Sequence, residues 1–142
     1  MRTATLIAAC FAALAATANA QDFAAHEQRQ QDLVALSGVF GTLHHIRRYC
    51  EPRAEADVWR ERMKTMIELE APQPAAREDM VRAFNRSYRN AQRRFPDCGR
   101  RARDHAASRA LQADAIVERL TTPLYETASQ DAQIIPNLDA DN

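Results

Sequence analysis

The apolar residues of this chain recur every three or four positions, and no stretch alternates as a half-buried strand does. That period predicts an all-α protein. In a first helical segment, about residues 23–49, Leu33, Leu36, Phe40, Leu43 and Ile46 form one stripe at spacings of 3, 4, 3 and 3. Gly38 and Gly41 lie inside it and weaken it by roughly 1 kcal/mol each relative to alanine. Their small size also lets a neighbouring helix come close. Pro52 is placed to open a second helix, residues 54–69, with Val58, Trp59, Met63, Met66, Ile67 and Leu69 inward. Ala71-Pro72-Gln73-Pro74 breaks it. A third helix, about residues 75–95, turns Met80, Phe84, Tyr88, Ala91 and Phe95 inward, and Pro96 ends it. The fourth starts near residues 97–99 and reaches Leu120, with Ala102, Ala106, Ala113, Ile116, Val117 and Leu120 inward. Its alanine-lined first half calls for close packing. Thr121-Thr122-Pro123 closes it, and residues 123–142 read as a loose acidic tail off the core. Helices joined by short connections predict an up-down-up-down four-helix bundle over residues 21–122.

Residues 1–20 read as a secretory signal: a basic Met1-Arg2-Thr3, an alanine-rich apolar run too short to span a membrane, and Ala18-Asn19-Ala20 for cleavage before Gln21. This predicts a periplasmic protein without a transmembrane helix in its mature chain. Ile7-Ala8-Ala9-Cys10 also resembles a lipoprotein processing site, but its apolar run is very short and it would leave apolar Phe11 to Ala18 beside the lipid.

Once residues 1–20 are removed, Cys50 and Cys98 are the remaining cysteines. An even pair in an exported chain predicts a disulfide, and there is no C-x-x-C motif for redox work or haem attachment. In an up-down-up-down bundle the ends of the first and third helices share a pole, where these cysteines would meet. Arg47-Arg48-Tyr49-Cys50 and Arg93-Arg94-Phe95-Pro96-Asp97-Cys98 echo one another at those ends, a match weak enough to arise by chance.

No catalytic, cofactor-binding or metal-ligating constellation is recognisable. The histidines His26, His44, His45 and His105 form no H-x-x-x-H motif, and adjacent His44 and His45 point to different sides of a helix, as surface or boundary residues. The serines lack a G-x-S-x-G frame, and Glu78 and Asp79 suit a first helical turn. The densest mixture of aromatic and polar groups surrounds Trp59, Asn85, Tyr88 and Arg89. Those residues form either core aromatics with boundary polar pairs or a small ligand groove.

In chain order, the helix end at Arg47-Arg48-Tyr49-Cys50, then Trp59-Arg60-Glu61-Arg62-Met63, Glu70-Ala71-Pro72, Phe84-Asn85-Arg86-Ser87-Tyr88 and Cys98 resemble an uncharacterised family of small exported alphaproteobacterial proteins with two well-separated cysteines. The resemblance covers roughly residues 33–120. It implies the Cys50–Cys98 disulfide and transfers no activity, cofactor or catalytic residue.

Charge carries the functional expectation. Residues 77–109 hold 10 basic and 4 acidic groups, whereas residues 110–142 hold 1 and 6. Lys64 is the only lysine, a bias that a GC-rich genome explains without function. Folding the bundle brings Arg47, Arg48, Arg53, Arg93, Arg94, Arg100, Arg101 and Arg103 to the disulfide pole. Arg100, Arg101 and Arg103 begin a helix, where the macrodipole disfavours each cation by about 0.3–1 kcal/mol. Arg93, Arg94, Arg100, Arg101 and Arg103 are therefore candidates for anion binding; pairing with Asp97 and Asp104, or docking of the acidic tail, is the bland alternative. The expectation is a non-enzymatic envelope protein that binds a partner, either a protein or an anionic envelope component, and not nucleic acid. An enzyme or small-ligand binder using the Trp59/Asn85/Tyr88/Arg89 region is the alternative, and a periplasmic chaperone a third reading by size and helicity alone.

Overall fold

The computed structural model describes the backbone of residues 4–134 and the side chains of residues 21–129. It contains α1 (Ala4–Cys50), α2 (Pro52–Glu55), α3 (Val58–Glu70), α4 (Pro74–Arg94) and α5 (Arg100–Ile134), with no strand among the described residues. Residues 1–20, on which the signal and Cys10 expectations rest, lie outside the described side chains. Among the described residues no helix is long and apolar enough to cross a membrane. Residues 21–28 of α1 are exposed, and the compact body starts at Asp32.

Prolines set two of the helix starts. Pro52 and Pro74 each occupy the first turn of a helix, where a missing N–H costs nothing. The second predicted helix is divided: α2 stops at Glu55, and Asp57 (φ −121°, ψ −5°) begins α3. Ala71 ends α3 in the left-handed region at φ 41°, donating its N–H to the Ile67 carbonyl at 3.1 Å. An L-residue there carries roughly 1–2 kcal/mol of strain, and the Pro72 that follows keeps the helix from continuing.

Contacts fix the directions of the helices. Phe40 of α1 meets Trp59 of α3, with ring centroids 5.8 Å apart, and Arg47 reaches Glu55 at 3.8 Å, so α1 and α3 are antiparallel. His45 of α1 donates from Nε2 to the Phe95 carbonyl just past α4, at 2.9 Å, so α1 and α4 run parallel. Arg119 of α5 grips Asp32 of α1 with two hydrogen bonds, of 2.6 and 3.2 Å, so α5 runs back along α1. The Cys50–Cys98 disulfide closes the shared pole with a Cα–Cα distance of 5.2 Å. This is the expected up-down-up-down order.

The core is built around α1. The predicted stripe of Leu33, Leu36, Phe40, Leu43 and Ile46 is buried, and so are Asp32, Ser37, Val39, Thr42 and His44 on its other faces. A helix buried all round is surrounded by its neighbours, here α3, α4 and α5. The buried hydroxyls are satisfied locally: Ser37 donates to the Leu33 carbonyl at 2.7 Å and Thr42 to the Gly38 carbonyl at 3.3 Å. His44 is only 3% exposed, so it is not the surface or boundary residue expected. Met80 and Ala91 of α4, Phe95 just past it, and Ala102, Ala106 and Ala113 of α5 are buried as predicted, whereas Leu69 and Val117, at the edges of their stripes, are exposed. Trp59, Met66, Ile67 and Phe84 are only partly buried against the core.

The tail is corrected in one respect. α5 does not stop at Pro123 but runs through it to Ile134. Pro123 removes one helical hydrogen bond, while Thr121 and Thr122 before it and Thr127 and Ser129 after it bond back to carbonyls one turn earlier. Residues 122–129 are exposed, so this stretch stays off the core as expected.

At Gly41 two helix backbones of the bundle cross closely. A Cβ built there would lie 2.1 Å from the Phe84 carbonyl oxygen and 2.9 Å from its carbonyl carbon, both backbone atoms of α4. At Gly38 the nearest atom is Ser87 Oγ at 3.2 Å, the end of a side chain that can rotate. Gly41→Ala should therefore destabilise by about 1–3 kcal/mol or more, despite alanine's helix-propensity gain of about 1 kcal/mol. Gly38→Ala should be near neutral. Equal stabilisation of both variants in thermal or urea melts would refute the close crossing.

The disulfide encloses 48 residues and contributes about 4 kcal/mol in the chain-entropy model. Thiol titration of the unreduced native protein should find neither Cys50 nor Cys98 free. Cys50→Ser and Cys98→Ser should each lower the melting temperature, and to a similar extent.

Candidate functional site

Three helical faces converge beside the Gly41–Phe84 crossing. From α3 come Arg60, Met63, Lys64 and Ile67, at i, i+3, i+4 and i+7, which share one face. From α4 come Arg77, Val81, Phe84, Asn85 and Tyr88, again one stripe. His44 and Arg48, one turn apart, supply the α1 wall. The groove they enclose has a volume of about 480 Å³. It holds four cationic side chains and no carboxylate. Lys64 is engaged by Glu61 at 2.7 Å. Arg48, Arg60 and Arg77 make no ion pair among the described residues.

His44 lies at the base of this groove, its ring 5.5 Å from that of Tyr88 and 5.7 Å from that of Phe84. Burial lowers its pKa from the ordinary value of 6.5, the nearby Arg48 and Arg60 charges lower it further, and Asp57 opposes them, so the balance favours the neutral ring. Its Nδ1 is sealed from solvent without a hydrogen-bond partner. A bare lone pair is a cheaper orphan than an N–H. The proton therefore belongs on Nε2, which makes His44 an uncharged donor toward the groove. His45, on the next position, turns away to the Phe95 carbonyl. The two histidines point to different sides, as the helical period requires.

Of the four residues expected to form a groove, Asn85 and Tyr88 line this one. Trp59 faces the other side of α3, where its indole N–H donates to Glu55 at 2.7 Å and the Arg62 guanidinium stacks 4.6 Å from its ring centre. Arg89 is exposed and lines neither groove. A wider groove of about 870 Å³ runs between Leu36 and Phe40 of α1 and Val58, Met66 and Leu69 of α3. Its charges are of both signs, Arg53 and Arg62 against Asp57, Glu61 and Glu70.

At the disulfide pole most of the arginines have local partners. Arg47 pairs with Glu55 at 3.8 Å and Arg100 with Asp104 at 3.6 Å. Arg103 donates to the Cys98 carbonyl at 3.0 Å, Arg93 to Asn90, and Arg94 lies 5.5 Å from the Phe95 ring centre. Asp97 is not an arginine partner here; its carboxylate accepts the Gly99 N–H at 3.2 Å. Arg101 is exposed without an ion pair among the described residues. No cluster of His, Cys, Asp and Glu suited to a metal occurs among the described residues.

No curated protein and no solved structure matches the chain. One family model does, over residues 29–123, a span that takes in α1 from Arg29, both grooves and the disulfide. The chain belongs to that family, described as proteins of unknown function, DUF2385.

Proposed function

We propose that this protein is exported to the periplasm of an alphaproteobacterium, where it binds an anionic component of the envelope through the groove between α1, α3 and α4, without catalysing a reaction. The observation that carries this reading is the groove's lining of four cations and no carboxylate. Anions bind where guanidinium groups converge with few competing carboxylates. Export is supported by the signal-like residues 1–20 and by the Cys50–Cys98 disulfide, which belongs in an oxidising compartment.

The disulfide pole is the competing location for the same anion. Its arginines are mostly engaged with local partners, which favours the groove. Co-sedimentation with phosphatidylglycerol vesicles across a salt series separates the two. Binding should be present at low salt, absent on phosphatidylcholine, and weakened as salt rises, because the groove cations are exposed and screened. Arg48→Glu/Arg60→Glu should cut it by about tenfold or more, some 1.4 kcal/mol, while Arg100→Glu/Arg101→Glu should leave it nearly unchanged. The opposite ranking would move the site to the pole, and no binding at low salt would end the anion reading.

A further inference from the structure

We propose that the groove takes an elongated amphipathic anion, a phosphate or carboxylate head on a single apolar chain, with the head at Arg48, Arg60 and His44 and the chain along Ile67, Val81 and Phe84. The inference rests on the anion reading above and names its ligand class. Two of the groove's cations cluster with His44 at one end, Arg77 stands at the other, and an apolar strip runs between them. Arg48 and Arg60 both lie close enough to His44 to act on its ring, so these three mark one end. From Tyr88, which stacks on His44, to Arg77 is 11 residues of α4, about 16 Å at 1.5 Å per residue. Between them Ile67, Val81 and Phe84 form an apolar strip beside Lys64 and Asn85, and Val81 is 40% exposed although it lines a concavity.

A free phosphate would occupy the arginine end and leave that wall wet. A chain lying on it would remove apolar surface from water, and about 480 Å³ lies within the roughly 300–1,000 Å³ typical of small-ligand sites. His44 supplies the second, independent observation. It is a polar side chain only 3% exposed, it lines the groove, and it makes no hydrogen bond of its own. With Nδ1 sealed, its Nε2–H is left to donate to a head-group oxygen, as an uncharged complement to the two guanidinium groups.

Calorimetric titration with dodecyl phosphate below its micelle concentration, inorganic phosphate and dodecyl phosphocholine tests this. Dodecyl phosphate should bind at least about a hundredfold more tightly than inorganic phosphate, the yield of burying a few methylene groups. It should also bind well above the zwitterionic phosphocholine. Val81→Ser, at an exposed position that does not endanger folding, should weaken dodecyl phosphate and leave inorganic phosphate unchanged. Ring-nitrogen NMR should show the His44 Nε2 resonance shifting on addition of dodecyl phosphate. Equal affinity for dodecyl phosphate and inorganic phosphate, with anionic vesicles still bound, would overturn the amphiphile and spare the anion reading. Equal affinity for the phosphocholine would overturn the anionic head. If neither the vesicles nor either phosphate binds, both readings fall together.

Discussion

The carbonyl oxygen of Phe84 occupies the place where any other residue at position 41 would carry its Cβ. Side-chain packing holds most helix pairs roughly 8–10 Å apart; here backbone meets backbone, and α4 is drawn onto α1. The consequences spread from that contact. Phe84 and Tyr88, carried with α4, come to rest against the His44 ring. His45 reaches the carbonyl at the end of α4 and fixes the parallel register of the two helices. The remaining helices pack α1 from other sides, so its centre has no wet face. α5 is tied to it by the disulfide at Cys98 just before its start and by the Asp32–Arg119 pair midway along it. Asp32 keeps only 7% of its side chain exposed, and such a carboxylate persists because a two-pronged guanidinium satisfies it.

Much of this was legible in the sequence, because the hydrophobic stripes of the helices face one another. Every residue read as inward on the first helix is buried, and the suspicion that Gly38 and Gly41 admit a close neighbour matches the crossing at Gly41. What periodicity could not show is that residues 36–46 of α1 have no solvent side. Ser37, Thr42 and His44 look like surface residues by type. Two of them are buried cheaply because each hydroxyl bonds a carbonyl one turn back, an arrangement that leaves no mark on the pattern. The partner of Asp32 lies 87 residues away, beyond the reach of any local motif. Pro123 misled for the opposite reason: a strong local signal was overridden in an exposed stretch of helix.

The site was half legible. Asn85 and Tyr88 stood out by their mixture of aromatic and polar character, and they line the cationic groove. Trp59 stood out equally, yet neighbouring helical residues diverge by about 100°, and Trp59 and Arg60 are divided between opposite sides of α3. The cations of the groove come from three separate helices, so no run of sequence announces them. The run that did announce itself, at the disulfide pole, is largely accounted for by Asp104, Glu55, Asn90 and backbone carbonyls.

The groove cations are set apart by what the chain does elsewhere. Where a cation lies on an exposed helical face, this sequence often supplies an acid one turn away: Glu61 for Lys64, Glu78 and Asp79 for Arg82, Asp104 for Arg100. Such pairs contribute only a few tenths of a kcal/mol each, so their placement costs the fold little and their omission gains it little. Arg48, Arg60 and Arg77, which sit on three different helices, make no ion pair among the described residues, although Glu51 and Asp57 stand three residues from Arg48 and Arg60. Stability does not explain why all three face the same concavity beside a buried histidine with an unsatisfied nitrogen. Like charges gathered there repel one another, and both Arg48 and Arg60 press the His44 ring toward its neutral form. An anion in the groove would reverse the sign of that local field, relieving the repulsion among the arginines and accepting the His44 N–H at once.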